Sequence, residues 1–181
     1  MTPGTAAVRP MPGARARLAG APSGGRPRRS TRVLAGLVLV AVLSTRWARL
    51  NVSGSLPYGL YRLAPVPPSL PRGTVVLLPV PVPVQHVWSR WIPLLKPVAA
   101  IQGDTVCAQE GGLWVNGQAY GPLLRMAHGR PLPHMLEGCA EVGEGEVFLA
   151  SHTVGSLDSR YFAGVRIADL TAQAIPVLTW Y

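Results

Sequence analysis

Backbone donors are missing all along this chain: 19 of its 181 residues are proline, and a further 20 are glycine. Each proline deletes an amide hydrogen and clashes with the preceding helical turn, which excludes an all-helical bundle. Hydrophobic residues make up 48% and charged ones only 14%, which excludes a disordered chain as well. What survives is a set of short apolar runs separated by turns. Residues 74–78, Thr-Val-Val-Leu-Leu, follow the turn-forming Pro71-Arg72-Gly73 and are predicted as a strand. Pro79, Pro81 and Pro83 alternate with valine. With three ladder donors gone, that stretch reads as an extended edge or a loop. Residues 94–101 form a second apolar run, closed by Gly103-Asp104. Leu113-Trp114-Val115 leading into Asn116-Gly117 and Gln118 predicts a hairpin, because both central residues of a type I′ turn take positive φ. Two later strands are predicted at 146–150 and 174–178. No internal repeat is visible. The fold class expected is mainly β, in one domain plus an extension.

The formal charge of +9 invites a nucleic-acid reading until it is located. Residues 1–50 carry nine arginines and no acid, whereas residues 51–181 carry seven arginines and one lysine against eight acids. The body is therefore neutral, and no nucleic-acid partner is expected for it. Residues 1–32, rich in Gly, Pro, Ala and Arg, read as a disordered cationic tail. Residues 33–43 are an unbroken apolar run, short of the roughly 20 residues a span needs. Extended to Leu50, the run takes in Arg46 and Arg49, whose stems can snorkel beside Trp47. Residues 33–50 are thus expected to be a membrane anchor. The competing reading is a cleavable secretory signal, but residues 44–48 (Ser-Thr-Arg-Trp-Ala) offer no small-x-small site. Arginines cluster ahead of the run, so the tail is expected in the cytoplasm and residues 51–181 on the exported side. Cys107 and Cys139 both fall in that exported part. An oxidising compartment permits one disulfide between them, and two buried thiols are the other reading.

One count carries the chemistry. Of 17 basic residues only Lys96 is a lysine. An ammonium can lose its proton near neutral pH when desolvated, whereas guanidinium stays charged. Lys96 is flanked by Leu94, Leu95, Pro97, Val98 and Ala99, an apolar bed expected to depress its pKa toward that of a general base. A nucleophile is on offer in residues 51–61 (Asn-Val-Ser-Gly-Ser-Leu-Pro-Tyr-Gly-Leu-Tyr), read as an exposed loop able to present a hydroxyl and a backbone N–H together. The bland readings are a strand-edge lysine and a polar turn after an anchor. Rival sites are poorly supported. His86, His128, His134 and His152 lack ligand spacing, and no Gly-x-Ser-x-Gly elbow occurs. No metal and no cofactor are expected. Trp88 and Trp91, beside Arg90, suit either a membrane interface or core packing.

Three segments in order resemble the motifs of type I signal peptidases: Ser53-Gly54-Ser55-Leu56-Pro57; residues 95–104, Leu-Lys-Pro-Val-Ala-Ala-Ile-Gln-Gly-Asp; and residues 156–162, Ser-Leu-Asp-Ser-Arg-Tyr-Phe. Asn51 with Ser55 to Tyr61, Val115-Asn116-Gly117, residues 129–133 and the closing Pro176-Val177-Leu178-Thr179-Trp180 look more like the TraF-type peptidases of conjugative transfer. The resemblance covers roughly residues 35–181. It implies a signal-peptidase-like, β-rich catalytic domain behind one N-terminal transmembrane helix. It also implies a serine–lysine dyad: Ser55 as nucleophile, Lys96 as the base that takes its proton, and the Ser53 hydroxyl as an oxyanion donor. Ser156 would orient the lysine amine, and Asp158 with Arg160 would form a structural ion pair. The implied partners are the lipid bilayer and a membrane-tethered, pilin-like precursor. The implied location is the inner membrane, with the catalytic domain periplasmic. Pro97 and Gln102 depart from the family pattern, which often has an arginine after the lysine and a proline before Gly-Asp. A general type I signal peptidase and a non-catalytic anchored subunit of an export or conjugation apparatus are the alternatives.

Overall fold

The computed structural model describes residues 46–181, together with Val33, Leu34 and Gly36, which are helical. The expected tail at 1–32 and most of the expected anchor at 33–50 lie outside the described residues. No helix among the described residues is long and apolar enough to cross a membrane. Ala48, Arg49 and Leu50, the last residues of the span assigned to the anchor, are strand: they open β1 (Ala48–Asn51), which pairs antiparallel with β2 (Tyr58–Ala64).

Antiparallel pairing dominates, as short runs joined by tight turns require. Besides β1 and β2, the strands are β3 (Val75–Leu78), β4 (Leu94–Ile101), β5 (Thr105–Gln109), β6 (Gly112–Val115), β7 (Gln118–Pro122), β8 (Met126–Ala127), β9 (Arg130–Pro131), β10 (Gly138–Glu141), β11 (Glu146–Leu149), β12 (Val165–Arg166) and β13 (Ala172–Trp180). They build a seven-stranded sheet in the order β1-β2-β13-β3-β4-β11-β12, a four-stranded sheet β10-β5-β6-β7 and a small ribbon β8-β9. The proline-valine stretch after β3 is no strand. It closes into a single 3-10 turn at Val82–Val84. The 113–118 hairpin forms with Asn116 and Gly117 both at positive φ. Pro176 sits inside β13, where a ladder donor is missing. It is tolerated because the pairing of β13 with β3 stops at Gln173, opposite Val76 near the start of β3, and the β13–β2 ladder shifts by a bulge after the proline.

β4 is central and buried on both faces. Leu94 and Val98 join Val76, Leu78, Val147 and Leu149 in the largest core cluster, while Leu95 packs with Tyr61, Leu77, Ala172 and Ala174. Residues two apart on a strand share a face, so Lys96 projects between Leu94 and Val98 on the side of the larger cluster. Pro97 does not break the strand. It pairs in register with Val75, and its carbonyl accepts from Ala150 N–H at 3.2 Å. Gln102 is also accommodated. Residues 101–104 form a type II turn in which Gly103 takes φ 83° and Asp104 N–H donates to Ile101 O. Such a turn favours proline at its second position without requiring it.

Asp104 ties that turn to its surroundings. Its carboxylate accepts from both Arg72 Nε and Nη2, from Ile101 N–H and from Asn116 Nδ2. The Arg72 hydrogen bonds, helped by those of Ile101 and Asn116, hold its carboxyl well below the usual carboxylate range against the opposing effect of burial. A depressed folded-state pKa stabilises above the unfolded value and is lost as pH falls, so this contribution is complete above about pH 4 and fades below it. Asp104→Asn is expected to cost about 2 kcal/mol at pH 7, read as a lower urea midpoint. The variant should differ less from wild type near pH 3; an equal gap at both pH values would contradict the ionic contribution. Cys107 and Cys139 face each other across β5 and β10 and are joined in a disulfide, which decides between the two readings of the sequence.

Candidate active site

Three separate elements converge on Lys96. The first is the loop 52–57 that links β1 to β2. It is short and tied to the Asn51 side chain; Val52 and Gly54 stay exposed at its surface, while Ser55 itself is only 8% exposed. Just beyond the loop, Gly59 stands near the start of β2 with φ 138°, where β2 runs close against β13. A Cβ there would come within 2.0 Å of Leu178 O in β13. The second element is β4, which supplies Lys96 itself. The third is the long connection between β11 and β12, which carries Ser156, Asp158 and Arg160.

Lys96 is 5% exposed. Its Nζ lies 2.9 Å from Ser55 Oγ and 3.0 Å from Ser156 Oγ. Burial lowers its pKa to about 8, with nearby Asp158 pulling the other way and Arg160 adding to the depression. The amine therefore titrates close to neutral pH, with about one molecule in ten neutral at pH 7. Asp158 and Arg160 are buried together, Nε to Oδ1 at 3.5 Å. Burial pushes the Asp158 carboxyl up, against Arg160, Ser156 and Lys96, which favour its charge. Arg160 donates to the carbonyls of Ser151 and Tyr120, so the pair closes the connection on itself and ties it to β7. The residues singled out from the sequence thus come together: Ser53, Ser55, Lys96 and Ser156 in one cluster, with Asp158 and Arg160 behind it.

Sequence reading missed two contributors. Asn51 is 6% exposed, and its side chain is saturated by the nucleophile loop. Its Oδ1 accepts from the Ser53 hydroxyl at 2.7 Å and the Ser53 N–H at 3.2 Å. Its Nδ2 faces the carbonyls of Ser53, Leu56 and Pro57 at 3.0, 3.2 and 3.0 Å. The available signal was an asparagine just before Ser-x-Ser, since asparagine readily bonds backbone groups a few residues on. Thr153 is the other. Its Oγ1 donates to Gly54 O at 3.0 Å and links the Ser156 connection to the Ser55 loop.

A cavity of about 760 Å³ opens over Ser55 and Lys96, walled mainly by apolar side chains such as Leu50, Val52, Ile92, Leu132 and Val154. No carboxylate lines it; Arg49 and Lys96 are its cations. A second cavity of about 460 Å³ shares only Gly54, Ser55 and Thr153 with the first. An extended chain crossing Ser55 thus meets an apolar groove able to take small or aliphatic side chains. Among the histidines, His86 bonds Pro131 O, His152 stacks on Tyr120 and lines the second cavity, and His134 meets Tyr161 edge-on. His128 lines the larger cavity. No group of metal-ligating side chains occurs among the described residues. Trp91 is 78% exposed with Arg90 stacked over its ring, and it adjoins Ile92 on the cavity wall.

The family described as "Signal peptidase, peptidase S26" matches residues 30–180. Two proteins from Escherichia coli, each described as "Plasmid transfer protein TraF", are similar along most of their length. One is 27% identical, covering 82% of this chain and 97% of its own. The other is 30% identical, covering 81% and 91%. A signal peptidase I from Enterococcus faecalis V583, known as a crystal structure, is 20% identical with a TM-score of 0.35, covering 61% of this chain and 97% of its own. With a family match over residues 30–180 and a relative 30% identical across 91% of its own length, this chain belongs to the signal peptidase family, peptidase S26.

Proposed function

We propose that the chain is a membrane-anchored serine endopeptidase that uses a Ser55–Lys96 dyad to process an exported precursor, a pilin-like protein of conjugative transfer. One observation carries the reading: the sole lysine is buried, with its amine 2.9 Å from Ser55 Oγ. In the neutral state that amine accepts the Ser55 proton while donating a hydrogen to Ser156 Oγ. Ser55 Oγ attacks the scissile carbonyl as its proton passes to Nζ. The oxyanion is met by the Ser55 N–H and the Ser53 hydroxyl, donors worth roughly 3–4 kcal/mol each in such sites. Collapse breaks the C–N bond, and the ammonium returns the proton to the leaving amine. A water molecule then cleaves the Ser55 ester, with Lys96 again as base.

The conjugative assignment draws on the relatives described as plasmid transfer proteins. The membrane assignment draws on the arginine-flanked apolar run and on the exposed Trp91, Ile92, Val52 and Val154 near the mouth of the cavity. The mainly apolar wall of the cavity suits an apolar substrate segment. Co-expression with a membrane-tethered pilin-like precursor tests the reading. Wild type is expected to shorten the precursor and Ser55→Ala to leave it full length, seen as a mass difference. Unprocessed precursor with wild type would favour the non-catalytic subunit.

A further inference from the structure

Asn51 makes more hydrogen bonds than a loop of six residues needs for stability, and their pattern selects one hydrogen-bonding state of the active site. Its two amide hydrogens face three carbonyls, so one is shared, and its oxygen faces two donors. The reversed amide would set oxygen against three carbonyls and nitrogen against two donors, so the orientation is imposed by the surroundings. The consequence falls on Ser53. Its hydroxyl has one hydrogen and two neighbours: Asn51 Oδ1 at 2.7 Å and Ser55 Oγ at 3.3 Å. The shorter contact takes the hydrogen.

We infer that Asn51 is a positioning residue of the reaction, holding the Ser53 hydroxyl away from the Ser55 oxygen until substrate arrives. The inference rests on the Ser55–Lys96 reading above. With the Ser53 hydrogen held by Asn51, Ser53 cannot donate to Ser55; once the amine is neutral, the Ser55 hydrogen goes to Lys96 Nζ, nearer at 2.9 Å and more basic than Ser53 Oγ at 3.3 Å. Without Asn51, Ser53 can donate to Ser55 Oγ and occupy the lone pair that must attack. The same loss unties the loop at both ends, because the Ser53 carbonyl on one side and the Leu56 and Pro57 carbonyls on the other share one amide. When the tetrahedral oxyanion forms, a full negative charge outcompetes the neutral Asn51 oxygen, and the Ser53 hydrogen turns to it. Asn51 touches no reacting atom. It acts through Ser53.

The test is a double-mutant cycle on the full chain in detergent micelles, with a fluorogenic peptide carrying Ala-Xaa-Ala before the scissile bond. Asn51→Ala is expected to lower kcat by about 30- to 300-fold and to change KM by less than threefold, with a cooperative melting curve retained. In a Ser53→Ala background the same substitution should lower kcat by a factor at least fivefold smaller, because the hydrogen it controls is gone. Equal factors in the two backgrounds, or an effect on KM alone, would overturn the inference. Single-turnover progress at enzyme excess keeps the doubly substituted protein measurable. If Asn51→Ala melts below the assay temperature, Asn51→Leu, similar in volume and with no acceptor to offer Ser53, enters the same cycle with the same two outcomes. Lys96→Ala runs alongside. Cleavage that survives it sinks the dyad reading; cleavage abolished there, with Asn51 and Ser53 effects multiplying independently, sinks only the role of Asn51.

Discussion

Lys96→Arg is expected to lower kcat/KM by at least about 10³-fold, because it keeps the positive charge and the donors but removes the lone pair. A guanidinium stays protonated at any pH the fold survives, so it cannot take the Ser55 hydrogen. Groups that act as a unit lose most of their effect when either is removed, so Lys96→Ala and Ser55→Ala should each fall to a similar floor. What remains at that floor is the oxyanion donors and the groove. Arginine is also larger and cannot relieve burial by deprotonating, so a loss of fold must be separated from a loss of base. Lys96→Met supplies that control. It is close in length, and it replaces a desolvated charge, set between Leu94 and Val98, with an apolar group. It should melt cooperatively and still be inactive. Cleavage by Lys96→Arg at a tenth of the wild-type rate would rule out a neutral-amine base.

The pH dependence has the next largest effect. With a Lys96 midpoint at about 8, kcat/KM should rise about fifty-fold between pH 6 and pH 8 and level off above it. The direction follows from the cause. Burial disfavours the ammonium and lowers the pKa, Asp158 resists, and the active form is the deprotonated one. The same shift makes the fold gain stability as pH rises from about 8 toward about 10.5, because there the unfolded chain still holds a proton that the folded chain has released. A flat profile from pH 6 to pH 8, or one that falls, would contradict the assignment of the base.

Much of this was legible before any coordinates. A single lysine among arginines marks a position where deprotonation matters, and its neighbours two residues away, Leu94 and Val98, share its face on any strand. The hairpin at Asn116-Gly117 was legible because its turn chemistry is local. Contacts set by long-range register were not. Cys107 and Cys139 allow a bond in sequence, and only the pairing of β5 with β10 brings them opposite. Ala48-Arg49-Leu50 reads as the end of an anchor until β2 supplies its partner. The burial of Ser55 was not legible either, because it depends on Lys96 arriving from β4 and on the Asn51 side chain bonding the carbonyls of Leu56 and Pro57. Pro176 argues against a strand unless one knows that the ladder with β3 has already stopped at Gln173.

The solitary lysine also gives the most direct experiment. Growth on lysine labelled with carbon-13 at the ε position puts one protein resonance in the spectrum, belonging to Lys96. Its shift, followed from pH 5 to pH 11, reports the protonation of that amine without any assay of cleavage. The expected result is a midpoint near 8 that coincides with the midpoint of the kcat/KM profile and moves in Ser55→Ala, which alters the amine's nearest hydrogen-bond partner. A midpoint near 10.5, unmoved by Ser55→Ala, would mean a solvated ammonium with no hold on the serine, and the account would be wrong.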